Sequence, residues 1–375
     1  MAPGLLWTRY VRYVGAGAVA MGGIVTLIRA FPTMIHSFRL GFAQIRGRVS
    51  SDADTGPRTD RDLSMKVVLG GALGVAAFLA VVPYVLGFVE TAALRVVAAL
   101  LVVVFAFFFV TVSSRIVGLV GVTSNPTSGM TIATLLGASG IFLAFGWTDL
   151  KAQASALTVG AVVAVAASIA GDTSQDLKTG FLLGATPRRQ QWGELLGVLT
   201  SAFFVALTVT VLAEAYGFGT RELPAPQATL MMLVVEGVLS RDLPWLLVGI
   251  GAAIALAAEL FRLPSLAFAV GIYLPVATMT PVFLGGLIRF LLERRANDDE
   301  ERIERRERGV LFGSGLVGGE GLLGVGIAGF AVLMTRAPEG VGSGWAGAFE
   351  PWFPLLPFGV LVWLLWRTGG ARLRA

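Results

Sequence analysis

The feature that most restricts this chain is a series of apolar blocks, each long enough to cross a hydrocarbon layer of about 30 Å as a helix. Hydrophobic residues make up 55% of the 375 residues and charged residues only 14%. In soluble globular chains about 45–50% of the residues are hydrophobic and about 25% are charged. The buried fraction of a soluble chain rises too slowly with length to hide this excess of hydrophobic residues. The sequence therefore predicts an all-α, polytopic integral membrane protein in contact with a lipid bilayer.

The apolar blocks predict about eleven transmembrane segments, with broken or re-entrant helices among them. The blocks are residues 4–29, 66–89, 94–111, 116–146, 154–171, 193–215, 227–240, 244–261, 264–290, 309–334 and 352–366. Block 227–240 is short for a crossing, so we expect it to be tilted, re-entrant or interfacial. We treat residues 1–375 as a single membrane domain with a cytoplasmic linker at 38–65 and a charged cytoplasmic loop at 291–308.

The basic residues predict the orientation. If the chain changes sides at every block, 22 of the 29 Lys and Arg residues, Arg241 among them, fall on one side. Short cytoplasmic loops carry such an excess of basic residues. We therefore expect a multi-pass protein of the cell (inner) membrane with its N-terminus outside and its C-terminus inside.

Several chemistries are excluded by what the sequence lacks. There is no cysteine and only one histidine, His36, so thiolate and histidine-rich metal sites are not expected. No G-x-x-x-x-G-K-[ST] phosphate loop occurs, and the glycines from Gly313 to Gly318 follow no strand, so they indicate helix packing in lipid. We expect no cofactor, no metal site and no catalytic residue. The net charge of +5 reflects membrane orientation rather than binding to nucleic acid.

Two interrupted apolar blocks are candidates for a substrate path. Broken helices at membrane depth leave backbone groups that only water, protein or substrate can satisfy. The first candidate set is Asn125, Pro126, Thr127, Ser128, Gly129 and Met130. The second is Tyr273 with Pro275, in a block that also holds Pro264 and Pro281. The alternatives are a packing kink at the first set and a tyrosine that only anchors its hydroxyl to a neighbour at the second.

Ionisable residues at or near membrane segments are candidates for proton or cation coupling, because a charge in hydrocarbon is costly. If helical, the polar stretch 170–180 places Asp172 and Asp176 on one face, with Lys178 close by. The alternative is a cytoplasmic loop with a capping aspartate. Glu236 is a further candidate, since it lies within an apolar segment. Four other glutamates lie nearer to predicted segment ends, where we expect them to snorkel: Glu194, Glu214, Glu259 and Glu320.

Five longer motifs, in this order, resemble the oligopeptide transporter (OPT) family, in particular its bacterial and yellow-stripe-like branch. They are SNPTSGMT at 124–131, GDTSQDLKTG at 171–180, GATPRRQQ at 184–191, LAFAVGIYLP at 266–275 and RGVLFGSGL at 308–316. The resemblance implies secondary active transport of oligopeptides or metal–chelate complexes, usually coupled to protons. It assigns no enzymatic activity.

Members of that family are longer, and the polar motif of their N-terminal half has no counterpart in this sequence. The chain therefore resembles a C-terminal half. This leaves two hypotheses from different classes: a transporter subunit, or a non-transporting assembly partner. The assembly partner would need a separately encoded N-terminal half. The expected partners are a small peptide or metal-chelate substrate and either that N-terminal half or further copies of the same chain in a homo-oligomer. An intramembrane hydrolase is a third, weaker hypothesis.

Overall fold

The computed structural model describes twelve α-helices within residues 6–48, 57–86, 91–120, 127–220, 223, 225–240, 244–274, 276–334, 349 and 352–370. They are α1 (Arg12–Arg48), α2 (Met65–Val81), α3 (Ala92–Val120), α4 (Thr127–Ala144), α5 (Leu150–Leu183), α6 (Pro187–Tyr216), α7 (Pro226–Ser240), α8 (Trp245–Leu260), α9 (Ser265–Tyr273), α10 (Val276–Arg294), α11 (Asp299–Met334) and α12 (Leu355–Gly370). A π-helical turn (Trp7–Val11) precedes α1, and a 3₁₀ turn (Arg58–Asp60) precedes α2. The predicted all-helical fold is confirmed.

Six helices in the described part of the chain are long and apolar enough to cross a membrane: α2 with its preceding turn, α3, α4, α5, α6 and α11. Three shorter helices, α7, α8 and α12, are also apolar. Length and composition therefore agree with a multi-pass membrane protein. The number of about eleven crossings stays a prediction.

The described residues form two compact units. The first contains residues 1–200 and 226–274, and the second contains residues 201–225 and 275–375, so that α6 begins in one unit and ends in the other. Helix α1 continues to Arg48 and therefore reaches into the predicted linker at 38–65. The predicted loop at 291–308 contains the end of α10 and the start of α11.

The centre of the first unit is formed by α3, α4 and α5. Large side chains such as Phe142 and Leu135 of α4 and Val163 of α5 are fully buried there. The hydroxyl of Ser113 in α3 donates to the carbonyl oxygen of Ala167 in α5. A hydroxyl that bonds a neighbouring helix removes the cost of placing a polar group in an apolar interior.

Helices α1 and α8 approach each other through glycines. A Cβ atom on Gly17 would overlap the carbonyl oxygen of Val248, and a Cβ atom on Gly251 would overlap the carbonyl oxygen of Val14. Small residues at such crossings let two membrane helices pack backbone against backbone. The predicted crossing segments 4–29 and 244–261 are therefore direct neighbours.

The contacts between α1 and α8 also fix their relative direction. Gly17 meets Val248, and about three turns further along each helix Arg29 forms an ion pair with Glu259. The two helices therefore run parallel. The side chain of Glu259 is only 15% exposed, so the expectation that Glu259 snorkels is replaced by a partly buried ion pair.

Parallel α1 and α8 contradict strict alternation over all eleven blocks, which would make the first and eighth blocks antiparallel. If both helices cross the membrane, an odd number of the six blocks between them do not cross it. Helix α7 has 15 residues, a length of about 22 Å. A small apolar cavity is lined by Tyr13 and Gly17 of α1, Gly237 and Val238 of α7 and Trp245 of α8. The end of α7 thus lies beside the first turns of α1. Strict alternation would instead place the end of α7 and the start of α1 on opposite faces of the membrane.

In the second unit, α10, α11 and α12 meet around Arg305 of α11. The guanidinium group of Arg305 donates to the carbonyl oxygen of Leu292 at 3.3 Å and to the carboxylate of Glu301 at 2.6 Å. Gly369 of α12 lies against Leu292 and the backbone of Arg305. The charged start of α11 therefore takes part in packing the three helices together.

Glu301, in the charged start of α11, is expected to remain ionised in moderately acidic solution. It accepts hydrogen bonds from the Asn297 backbone N–H at 2.8 Å and from Arg305, and these hold the pKa of Glu301 down at about 2. The pKa of Glu301 in the folded protein is below the unfolded value of about 4.3. Ionised Glu301 therefore stabilises the folded state fully above about pH 4.3, and this stabilisation is lost as pH falls towards about 2.

We expect an infrared titration of the wild-type protein, compared with Glu301→Gln, to show one carboxylate band that disappears near pH 2. Glu300→Gln is the control, since Glu300 is exposed in the same helical turn. Loss of the Glu301 band near pH 4 would contradict the assigned hydrogen bonds.

Candidate functional site

The polar stretch 170–180 lies in the last part of α5, which is one continuous helix. Helix α5 has 34 residues and a length of about 50 Å, more than the hydrocarbon core requires. The alternative of a cytoplasmic loop at this point therefore does not hold. The aspartate that caps α5 is Asp149 at its other end, whose side chain accepts from the Ala152 N–H at 3.0 Å. Helix α5 ends at Leu183 and is followed by Gly184, where φ is +70°, a conformation that suits glycine.

Asp172 and Asp176 lie one turn apart on α5, and both are exposed. Lys178 does not lie between them, and its ammonium group sits 5.6 Å from the ring of Phe181. The predicted shared face of the two aspartates is thus present. Lys178 is thus close to the two aspartates in the sequence, but no described contact joins it to them.

Glu194 of α6 completes a group of polar side chains that the sequence reasoning missed. It hydrogen-bonds the side chain of Thr173 and interacts electrostatically with Asp176. One of its carboxylate oxygens is buried. The expectation that Glu194 simply snorkels overlooked the turn at 184–187, which places the first turns of α6 beside the last turns of α5. Gly184 followed by Pro187 at the first position of α6 is the sequence signal for that turn.

The motif at 184–191 also holds the segment before α2. Gln191 accepts from the Leu63 N–H at 2.8 Å and donates to Asp62 at 3.2 Å, and the Arg188 N–H donates to the Arg61 carbonyl at 2.9 Å. The neighbouring Gln190 donates to the Asp176 carbonyl at 2.6 Å. These bonds fix the start of α2, the end of α5 and the start of α6 as one polar cluster.

The first substrate-path set is only partly described, because Asn125 and Pro126 lie outside the described residues. Thr127 begins α4, and its carbonyl accepts from the Thr131 hydroxyl at 2.8 Å. Ser128 is exposed, whereas Gly129 and Met130 are buried. Met130 belongs to a cluster with Phe109, Val112, Val163 and Ala167. Among the described residues of this set, the exposed polar side chain is therefore that of Ser128.

The predicted break in block 264–290 is present, since α9 ends at Tyr273 and α10 begins at Val276. Pro275 itself lies outside the described residues. Tyr273 is only 2% exposed. Its hydroxyl is hydrogen-bonded by Arg12, and its ring centroid lies 6.4 Å from that of Trp7.

Glu236 lies in the C-terminal half of α7 and is exposed between the buried Val235 and Gly237. Its carbonyl accepts from the Ser240 hydroxyl at 2.6 Å. No described contact joins Glu236 to Asp172 or Asp176, so the coupling candidates do not form one group. Within the described ranges, no group of three or more His, Cys, Asp or Glu residues is arranged to hold a metal ion.

Comparison with known proteins adds the family. The profile of the OPT oligopeptide transporter protein family matches residues 2–331. The "Putative oligopeptide transporter" of Haemophilus influenzae is 30% identical over an alignment of 401 residues that covers 96% of this chain and 63% of that protein. A Saccharomyces cerevisiae protein with the same description is 29% identical over 184 residues, or 44% of this chain and 25% of the yeast protein. No solved structure matches the chain significantly.

This chain thus spans 63% of the length of the Haemophilus relative. The family is one of transport proteins, so the prediction that the chain is not an enzyme is confirmed. Taken with the helical membrane fold, the match over residues 2–331 shows that the chain belongs to the OPT oligopeptide transporter family.

Proposed function

We propose that this chain forms part of a secondary active transporter for oligopeptides or metal–chelate complexes, driven by protons. The family match over most of the chain carries this proposal. The fold supports it through short helices, α7 and α9, that pack against α1 and do not extend across a full bilayer. Interrupted helices of this kind expose polar backbone ends where transporters bind their substrates.

For the orientation we propose that the start of α1 faces outside and that α7 is re-entrant. This moves the α7–α8 connection to the outside and Arg262 to the inside. We propose in addition that block 264–290, which is broken between α9 and α10, returns to the side on which it begins. Only Arg241 and Arg262 then exchange sides, so 22 of the 29 basic residues remain cytoplasmic. The re-entrant arrangement therefore satisfies the positive-inside rule as well as strict alternation does.

For the coupling group we propose Asp176 together with Glu194. Two carboxyl groups that interact can hold a single proton between them. Thr173 positions Glu194, and Gln190 holds the backbone of Asp176. Asp172 lies one turn away and Lys178 next to the pair in sequence, so both contribute to the local charge. Glu236 stays a separate candidate on α7.

The test is uptake of a labelled peptide or ferric chelate into proteoliposomes, with and without an inward proton gradient. We expect wild-type protein to accumulate substrate against its gradient. In Asp176→Asn and Glu194→Gln, gradient-driven accumulation should fall by about tenfold, within the range of typical coupling free energies, while substrate exchange persists. Glu300→Gln, which changes an exposed carboxylate at the start of α11, should behave as wild type.

Gradient-independent, unsaturable flux would indicate a channel. No flux from the chain alone, restored by adding the remaining part of a longer family member, would favour the alternative of an assembly partner. One observation favours that alternative: the most apolar stretch of α6 has no buried residue, so this helix has an apolar surface open to lipid or to another chain.

A further inference from the structure

Two buried N–H groups at the start of the described chain have no acceptor among the residues that the structure describes. They are the indole Nε1–H of Trp7 and the Nε–H of Arg12. Buried donors in folded proteins are nearly always hydrogen-bonded, and an exception requires an explanation. Both side chains contact the same residue, Tyr273, since Trp7 packs on its ring and Arg12 bonds its hydroxyl.

The backbone around this group is held rigidly. Gly15 has no room for a side chain, because a Cβ atom there would overlap the backbone of Tyr273. The end of α9 is thus pressed against α1. Trp7 belongs to a π-helical turn that joins α1 at Arg12, and such turns occur frequently at functional sites. The three side chains are therefore positioned by backbone packing and not by contacts with one another alone.

The group has more donors than acceptors. Tryptophan offers only a donor, and arginine offers five donors and no acceptor, so tyrosine supplies the sole acceptor oxygen of the three side chains. Arg12 forms no ion pair with any residue that the structure describes. The missing partner is consequently an acceptor that carries negative charge.

We propose that Trp7, Arg12 and Tyr273 form a binding site for a carboxylate group of the transported substrate. A carboxylate matches the planar guanidinium group and can accept from a second N–H donor at the same time. In the proposed orientation the site lies near the outer end of α1, where an imported substrate arrives. The inference rests on the proposed function for its substrate, and the carboxylate belongs either to the C-terminus of a peptide or to a metal chelator.

The test measures binding rather than transport, using purified full-length chain in nanodiscs. The probes are trialanine, trialaninamide, which lacks the carboxylate, and ferric citrate. We expect wild-type protein to bind either trialanine or ferric citrate. If trialanine is the ligand, it should bind at least about tenfold more tightly than trialaninamide, as a buried charge-assisted pair implies. Arg12→Gln should remove this preference, and Trp7→Phe, which deletes only the N–H donor and part of the ring, should weaken binding by a smaller factor.

The matched control is Arg9→Gln, because Arg9 belongs to the same π-helical turn but is exposed. It should bind as wild type. Equal binding of trialanine and trialaninamide together with no binding of ferric citrate would overturn the site, and so would an equal loss in the two arginine variants. If Arg12→Gln does not fold, Trp7→Phe and Tyr273→Phe decide the outcome.

The binding assay and the transport assay together distinguish failure of this site from failure of the proposed function. Wild-type protein that binds a carboxylate probe but transports nothing would contradict the transport proposal and leave the site standing. Transport of trialanine and its amide at equal rates, with Arg12→Gln unchanged, would contradict the site and leave transport standing.

Discussion

Replacing Gly251 with leucine is expected to abolish the folded protein, while the same replacement at Gly249, two residues earlier in α8, is expected to be tolerated. A side chain at Gly251 would overlap backbone atoms of Val14 and Ala18, whereas Gly249 has open space around it. Backbone atoms cannot move aside as a side chain can. Overpacking costs about 1–3 kcal/mol and occasionally more, and we expect about 3 kcal/mol or more here because α1 and α8 would have to separate.

The effect should be large because helices in lipid gain little from hydrophobic burial and depend on close packing for their association. Fluorescence-detected size exclusion and thermal melting in one detergent would compare the two variants. We expect Gly251→Leu to show no monodisperse peak and Gly249→Leu to match the wild-type protein. Similar behaviour of the two variants would contradict the described crossing of α1 and α8.

Single cysteines are expected to give nearly all-or-none labelling that distinguishes parallel from alternating helices. The natural chain has no cysteine, so each variant carries one reactive thiol. With a membrane-impermeant maleimide on intact cells, we expect Ser240→Cys to be labelled and Arg262→Cys to be protected until the membrane is opened. Strict alternation with the same N-terminal orientation predicts the reverse for both positions.

The controls for labelling are positions on which the two arrangements agree. Thr148→Cys, between α4 and α5, should be labelled in intact cells, and Arg189→Cys, at the start of α6, should not; both residues are exposed. Labelling of Thr148→Cys only after permeabilisation would invert the proposed orientation without affecting the parallel relation of α1 and α8.

Hydropathy predicted the helical class and the position of most membrane segments, because apolar length is a local property of the sequence. It did not predict where helices end. Block 154–171 lies inside the much longer α5, which continues through polar residues until Gly184 takes a left-handed conformation. Helix α3 likewise continues past its apolar block to Val120, and the hydroxyl of Ser113 in this extension donates to the Ala167 carbonyl.

The direction of α8 and the role of Glu194 were missed for a different reason. Both depend on contacts between residues far apart in the sequence: Gly17 with Val248, and Glu194 with Thr173. A count of alternating blocks contains no information on such pairs. Of the predicted site residues, Asp172 and Asp176 share a helix face, Tyr273 lies in a donor-rich group, and Asn125, Pro126 and Pro275 fall outside the described residues.

The glycine crossing has a consequence for motion during transport. Where Gly17 and Gly251 bring two backbones together, no side chain is present that could change rotamer and let one helix slide over the other. Interfaces between packed elements shift between discrete arrangements rather than deform continuously, and this interface has no second arrangement within reach. We therefore expect α1 and α8 to move as one rigid frame, so that any change of access between the two membrane faces takes place around this pair of helices and not within it.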